Sequence, residues 1–71
     1  MNEERTIKVG VYTFILSKVD GNRTLVVKNP GGVEVAKAEG GTFREAGQRI
    51  IDSTSDNGLK NTLNPTVLPE F

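Results

Sequence analysis

The fold is decided by residues 12–51, which read YTFILSKVDGNRTLVVKNPGGVEVAKAEGGTFREAGQRII. Three segments of this stretch, 12–19, 23–28 and 33–38, are rich in β-branched and aromatic residues, the composition typical of strands. Each is separated from the next by turn-forming residues, and a helical pattern follows the third. The stretch therefore predicts an α+β domain with a three-stranded antiparallel sheet, in the order β-β-β-α, and one helix packed on one face.

The two loops set the register of the predicted sheet. Asp20-Gly21 suits a two-residue type I′ hairpin, in which both loop residues need a positive φ. This loop places Leu16 opposite Leu25 and Phe14 opposite Val27. Pro30-Gly31-Gly32 suits a bulged three-residue loop with Gly32 in the left-handed conformation, and this loop places Val27 opposite Val35.

Alternation along these strands then divides their side chains between two faces. The predicted core face collects Tyr12, Phe14, Leu16, Leu25, Val27, Val33 and Val35. The other face collects Thr13, Ile15, Ser17, Thr24, Val26, Lys28, Glu34 and Ala36, with Lys28 opposite Glu34. A slip of one residue in the second loop would instead turn Ala36 and Ala38 toward the core, and this alternative stays open.

A helix is predicted from Thr42, which opens the pattern Thr42-Phe43-Arg44-Glu45 of a capping box. In such a box Thr42 accepts from the N–H of Glu45, and Glu45 reaches back to the N–H of Thr42. Phe43, Ala46, Gly47 and Ile50 then fall at helical spacing and should face the sheet. Asn57-Gly58 is a plausible helix stop, although residues 53–55 could end the helix earlier.

Strand character also extends before Tyr12, because Ile7, Val9 and Val11 alternate with Lys8 and Gly10. The apolar positions are odd-numbered here and even-numbered from Tyr12 onward. A bulge or bend at Gly10 would keep both sets facing inward. The alternative is that Ile7 and Val9 pack elsewhere or pair with another copy of the chain.

The remaining segment carries no sustained period and contains Pro65 and Pro69, which exclude a continuing helix or a central strand. We therefore predict one domain over residues 1–58 and a partly ordered, irregular tail over residues 59–71. The tail is nevertheless apolar at Leu63, Val67, Leu68 and Phe71. These residues could lie across the open face of the sheet or dock on a partner.

Composition argues against catalysis and metal binding. The chain of 71 residues has no histidine and no cysteine, so the commonest general base and the thiolate ligands are absent. Neither Gly-rich turn has the spacing or the lysine of a phosphate-binding loop. The sequence predicts a protein that is not an enzyme and binds neither a cofactor nor a metal.

The predicted function is a small interaction module that binds a protein partner, or a second copy, through the open sheet face or an edge strand. Ile15, Val26 and Ala36 are the candidate binding residues, because they make that face half apolar. The alternative is a nucleic-acid-binding accessory protein that uses Lys18, Arg23 and Lys28 of the first hairpin. The net charge is zero, which gives the whole chain no electrostatic bias toward nucleic acid.

No membrane association is predicted, because the apolar windows are far too short to span a bilayer. The first residues are acidic, and no apolar run of secretory length follows them. The expected location is therefore the cytoplasm.

The strand, turn and helix pattern resembles that of YegP-type small bacterial domains of unknown function. The matching residues are Leu25, Val27, Gly32, Val35-Ala36, Glu39-Gly40 and Thr42 to Ile51. The order of elements also resembles, more distantly, the three-strand-plus-helix amino-terminal module of phage-type integrases, which binds DNA. Neither resemblance implies active-site residues.

Overall fold

The computed structural model describes residues 2–64 and 68–71. It confirms the α+β class and the antiparallel sheet, but it contains one strand and one helix more than the sequence predicted. The four strands form a meander in the order β1-β2-β3-β4. The elements are β1 (Glu3–Val9), β2 (Tyr12–Val19), β3 (Asn22–Lys28), β4 (Glu34–Gly40), α1 (Phe43–Ser53) and α2 (Asn57–Thr62).

The additional strand is β1, which pairs with β2 through the two-residue loop Gly10-Val11. Gly10 adopts a φ of 62°, and Ile7 and Val9 lie opposite Phe14 and Tyr12. A two-residue hairpin always pairs an odd with an even position, so the change of apolar phase at Gly10 marks a hairpin. The predicted bulge or bend was therefore wrong, and β1 pairs within its own chain.

The hairpin of β2 and β3 has the predicted register. Leu16 lies opposite Leu25, and Phe14 lies opposite Val27. Asp20 and Gly21 have φ values of 51° and 84°, the two positive values that a type I′ loop requires. All four apolar side chains are fully buried. The turn residues and the alternation of apolar residues were therefore sufficient to predict the register of this hairpin.

The third pairing shows the slip that the sequence left open. Lys28 lies opposite Glu34 as predicted, but a bulge follows and Val27 lies opposite Ala36 instead of Val35. Ala36 and Ala38 consequently pack against the core. Val33 and Val35, which were predicted to be core residues, are 60% and 44% exposed.

Helix α1 covers the sheet by contacting β3 and β4. Its buried residues are the predicted Phe43, Ala46, Gly47 and Ile50. The Thr42 hydroxyl accepts a hydrogen bond from the N–H of Glu45 at 3.0 Å. The carboxylate of Glu45 accepts from Gly41 at 3.2 Å rather than from Thr42, so only one half of the capping box forms as predicted. The helix ends at Ser53, the earlier of the two predicted stops.

The segment predicted as an irregular tail begins inside α2 and contributes to the core. Asp56 caps α2 by accepting from the N–H of Leu59 at 3.1 Å, so Asn57-Gly58 starts a helix instead of ending one. Leu59, Leu63 and Leu68 are buried. They join one cluster made of Phe14, Leu16, Leu25, Val27, Phe43, Ala46, Ile50, Leu59, Leu63 and Leu68. Pro65 and Val67 lie outside the described residues.

The last residues bind the start of α1 and the edge of the sheet. The two carboxylate oxygens of Glu70 accept from the N–H groups of Phe43 and Arg44 at 3.0 and 2.8 Å. These two donors have no partner within the helix, and the carboxylate also lies at the positive end of its dipole. The ring of Phe71 packs on the ring of Phe43, with 4.7 Å between the two ring centroids. The Arg5 guanidinium lies over the Phe71 ring, 4.4 Å from its centroid.

Tyr12, the first residue of β2, donates a hydrogen bond to the carboxylate of Asp56, the N-cap of α2, at 3.1 Å. Partial burial, this hydrogen bond and the charge of Asp56 raise the pKa of Tyr12 above its ordinary value of 10.0. The folded state therefore holds the phenol proton more tightly than the unfolded state does. The resulting stabilisation is complete below pH 10 and is lost as the pH rises through the raised pKa.

We expect Asp56→Asn to lower the pKa of Tyr12, because the acceptor loses its negative charge. Tyr12 is the only tyrosine and the chain has no tryptophan, so the tyrosinate absorbance in a pH titration measures this group alone. Asp52→Asn is the control, because Asp52 is bonded to Gln48 on α1. An unchanged titration in Asp56→Asn would contradict the hydrogen bond.

Candidate functional site

The candidate site is the sheet surface opposite the core, which we call the open face. It is formed by alternate residues of the four strands, and none of them belongs to the buried cluster. By register its members are Glu4, Thr6, Lys8, Thr13, Ile15, Ser17, Val19, Asn22, Thr24, Val26, Lys28, Glu34, Lys37 and Glu39. The helices and residues 68–71 supply their buried side chains to the other face.

Two of the three predicted binding residues lie together at the centre of the open face. Ile15 and Val26 are direct cross-strand partners on the two central strands. Thr6 lies opposite Ile15 on β1, and Lys37 lies opposite Val26 on β4. Both apolar side chains are half-buried, and neither belongs to the core cluster of the described residues.

Ala36 does not lie with them. The bulge in β4 turns Ala36 toward Val27 and the core, so its predicted place on the open face was wrong. Lys37 takes that position in the register. The apolar part of the open face is therefore smaller than predicted, and a lysine borders it on the β4 side.

Charges of both signs surround the central pair. The lysines are Lys8, Lys28 and Lys37, and the acids on the same strands are Glu4, Glu34 and Glu39. Among residues 2–64 and 68–71, Arg49 and Glu45 form the single ion pair, at 3.8 Å. Lys28 and Glu34 are thus cross-strand neighbours, as predicted, without forming an ion pair.

The three residues of the predicted nucleic-acid site do not form one patch. Lys18 and Arg23 are cross-strand partners on the helix side of the sheet, in phase with Leu16 and Leu25. Arg23 donates from Nε and Nη2 to the main-chain oxygen of Phe71 at 3.1 and 2.8 Å. Lys28 lies on the open face at the opposite end of the strand. Arg23 is two residues from Leu25 and therefore shares its face of the strand. This alternation could have shown from the sequence that Arg23 and Lys28 lie on opposite faces.

A cavity of about 320 Å³ opens beside the open face, at the end of the sheet that carries the β1–β2 and β3–β4 loops. Its lining consists of Lys8, Gly10, Val11, Thr13, Lys28, Asn29, Pro30 and Gly32. Sequence reasoning missed this site because Lys8 comes close to Lys28 only through the pairing of β1 with β2. We call it the loop-end cavity.

The described residues contain no group of three His, Cys, Asp or Glu side chains that could hold a metal ion. No helix within the described ranges is long and apolar enough to cross a membrane.

Comparisons with protein-family models, with curated proteins and with solved structures found no match. The resemblance to YegP-type domains and to the integrase module therefore stays a hypothesis. What can be said of function rests on the open face and the loop-end cavity.

Proposed function

We propose that this protein is a small, non-enzymatic interaction module that binds another protein through the open face. The observation that carries the proposal is the position of Ile15 and Val26. They are the two central apolar side chains of the sheet surface opposite the one that α1 covers. A half-apolar surface of this kind is typical of a binding site.

A second copy of the chain would meet the open face with only partial charge complementarity. Two identical faces pair through a two-fold axis that lies between them. An axis parallel to the strands places Glu4 over Glu39 of the second copy, because both residues belong to one cross-strand row. An axis along the row of Ile15 and Val26 places Lys37 over Lys37 of the second copy. The first axis also places Lys8 over Glu34, and the second places Lys8 over Glu4, so either arrangement sets both like and opposite charges against each other.

The edge strands are also less suitable than the open face. β1 carries Glu3, Glu4, Arg5 and Lys8 within seven residues. β4 is bulged and carries Glu34, Lys37 and Glu39. Charged side chains and bulges are the features by which sheet edges avoid pairing with another strand.

The size of the open face indicates a transient complex. Four strands spaced by about 4.8 Å, with five residues rising about 3.4 Å each, cover roughly 330 Å². Both partners together would then bury roughly 650 Å², which is below the area of a standard interface. Weak, reversible binding is the expected behaviour.

The test is a variant with Ile15→Lys and Val26→Lys, compared with a control variant with Val11→Lys and Val33→Lys, whose side chains are exposed in the β1–β2 and β3–β4 loops. A partner identified by affinity capture is purified and titrated against each folded variant. We expect the open-face variant to bind at least about tenfold more weakly, a loss of about 1.4 kcal/mol. Light scattering of the wild type should show a monomer.

Equal binding by the two variants would contradict the proposal, and so would a loss confined to the control. If the wild type forms a stable dimer and the variant with Ile15→Lys and Val26→Lys is a monomer, the open face binds a second copy instead of a different protein.

A nucleic-acid-binding accessory role is the second candidate. It is supported by Lys8, Lys28 and Lys37, which share the open face without forming ion pairs in the described chain. A filter-binding assay at low salt distinguishes the two roles. Binding through three lysines should fall steeply as salt rises, whereas binding through Ile15 and Val26 should not. An affinity that does not fall as the salt concentration rises would therefore exclude the nucleic-acid role.

A further inference from the structure

The loop-end cavity is lined by hydrogen-bond donors and by no carboxylate. Its polar side chains are the ammonium groups of Lys8 and Lys28, the hydroxyl of Thr13 and the carboxamide of Asn29. Neither lysine takes part in an ion pair within the described part of the chain. We propose that this cavity binds a small phosphate monoester. The inference goes beyond the proposed function and does not depend on it.

The register of the sheet places the two lysines on either side of Thr13. Lys8 lies opposite Thr13, and Thr13 lies opposite Lys28, so the three residues form one row across β1, β2 and β3. The outer two Cα atoms are separated by two strand spacings, about 9.6 Å. Both lysine side chains are long enough to reach the space over Thr13. An oxyanion placed there can accept from both ammonium groups and from the hydroxyl.

The β3–β4 loop orients the fourth donor. The Asn29 side-chain oxygen accepts from the N–H of Val33 at 3.0 Å. Two main-chain bonds, from Asn29 to Val33 and from Gly32 to Asn29, hold the same turn. Because its oxygen is engaged in the turn, the carboxamide presents its NH₂ group as the remaining polar function. Asn29 therefore adds a neutral donor to the two cations.

The charge of the lining selects the anion. A phosphate monoester carries between about 1.5 and 2 negative charges at neutral pH and offers three acceptor oxygens. Two lysines match that charge better than they match a single carboxylate. Glu34, opposite Lys28, is the nearest competing charge by register, and it does not line the cavity.

The shape of the cavity limits the rest of the ligand. A volume of about 320 Å³ lies at the lower end of the range for small-molecule sites, about 300–1,000 Å³. Val11, which is 65% exposed, and Pro30 form an apolar wall. An additional Cβ at Gly32 would meet nothing within 4 Å, so this side is open. The site therefore fits a phosphate with one small apolar or ring substituent.

The experiment titrates ¹⁵N-labelled full-length chain with phenyl phosphate and follows the amide signals by NMR. The lining residues Thr13, Lys28, Asn29 and Gly32 should shift and saturate. The variant with Lys8→Gln and Lys28→Gln should bind at least about tenfold more weakly. The variant with Lys18→Gln and Lys60→Gln loses the same charge away from the cavity and should bind as the wild type does.

Three further probes separate the sources of affinity. Benzoate should bind more weakly than phenyl phosphate if the dianion is preferred, and inorganic phosphate should bind more weakly if the apolar wall contributes. Equal loss of binding in the two double variants would overturn the proposal, as would shifts that never saturate. A single-stranded oligonucleotide that binds through the same residues more tightly than phenyl phosphate would overturn it in favour of nucleic acid.

Discussion

Replacing Phe43 with alanine is expected to lower the free energy of unfolding by about 3–5 kcal/mol. Phe43 is fully buried at the first turn of α1, and its ring contacts Phe71. Removing the ring loses its burial and leaves a cavity between the helix, the sheet and the tail. A domain of this length has a total stability of roughly 4–10 kcal/mol, so the substitution should remove about a third of that stability or more.

Urea denaturation followed by circular dichroism measures the effect. Val33→Ala is the matched control, because Val33 is 60% exposed and its truncation should change stability by less than about 0.5 kcal/mol. Where Phe43→Ala is too unstable to measure, Phe43→Leu provides a smaller change of the same sign. Equal midpoints for Phe43→Ala and Val33→Ala would show that α1 does not pack on the sheet through Phe43.

Local rules predicted the central hairpin and the helix because each rule acts within a few residues. Asp20-Gly21 sets the pairing of Leu16 with Leu25, since a type I′ loop leaves one register for strands of this alternation. Thr42 marks the start of α1 by its own hydrogen bond. These features need no information from distant parts of the chain.

The errors arose where two local readings were compatible with the same residues. At Gly10, a change of apolar phase fits a bulge within one strand or a hairpin between two strands. At residues 33–38, either Val33 and Val35 or Ala36 and Ala38 could face the core, and the bulge decides between the two sets. Ala36 is partly buried against the core, on a strand that α1 contacts. That contact joins distant parts of the chain, so no local pattern indicates it.

The candidate site was predictable in part for the same reasons. Ile15 and Val26 followed from the hairpin register. The loop-end cavity depends on the pairing of Lys8 with Thr13, which requires β1, and on the turn held by Asn29. Arg23 was assigned to a binding surface because it lies in the same predicted hairpin as Lys18 and Lys28. Its bonds to the main-chain oxygen of Phe71 depend on a tail whose position no local pattern indicates.

The position of the tail leads to the second large effect, in which Leu68→Ala lowers the free energy of unfolding by about 2–5 kcal/mol. Leu68 is only 6% exposed and belongs to the central cluster. A leucine in a tail that lay free of the domain would contribute almost nothing. The control is Val11→Ala in the β1–β2 loop, where the side chain is 65% exposed and the expected change is below about 0.5 kcal/mol.

A double-mutant cycle of Phe43→Ala and Phe71→Ala, made in a stabilising solvent, then measures whether the tail is coupled to α1. Rings in contact contribute about 0.5–1.5 kcal/mol beyond their burial, so the two losses should be less than additive by that amount. Glu70→Gln should weaken the same attachment without removing apolar surface, because Glu70 binds the N–H groups of Phe43 and Arg44. Additive losses together with a neutral Leu68→Ala would place the tail away from the core, and the cluster under α1 would then have to close without it.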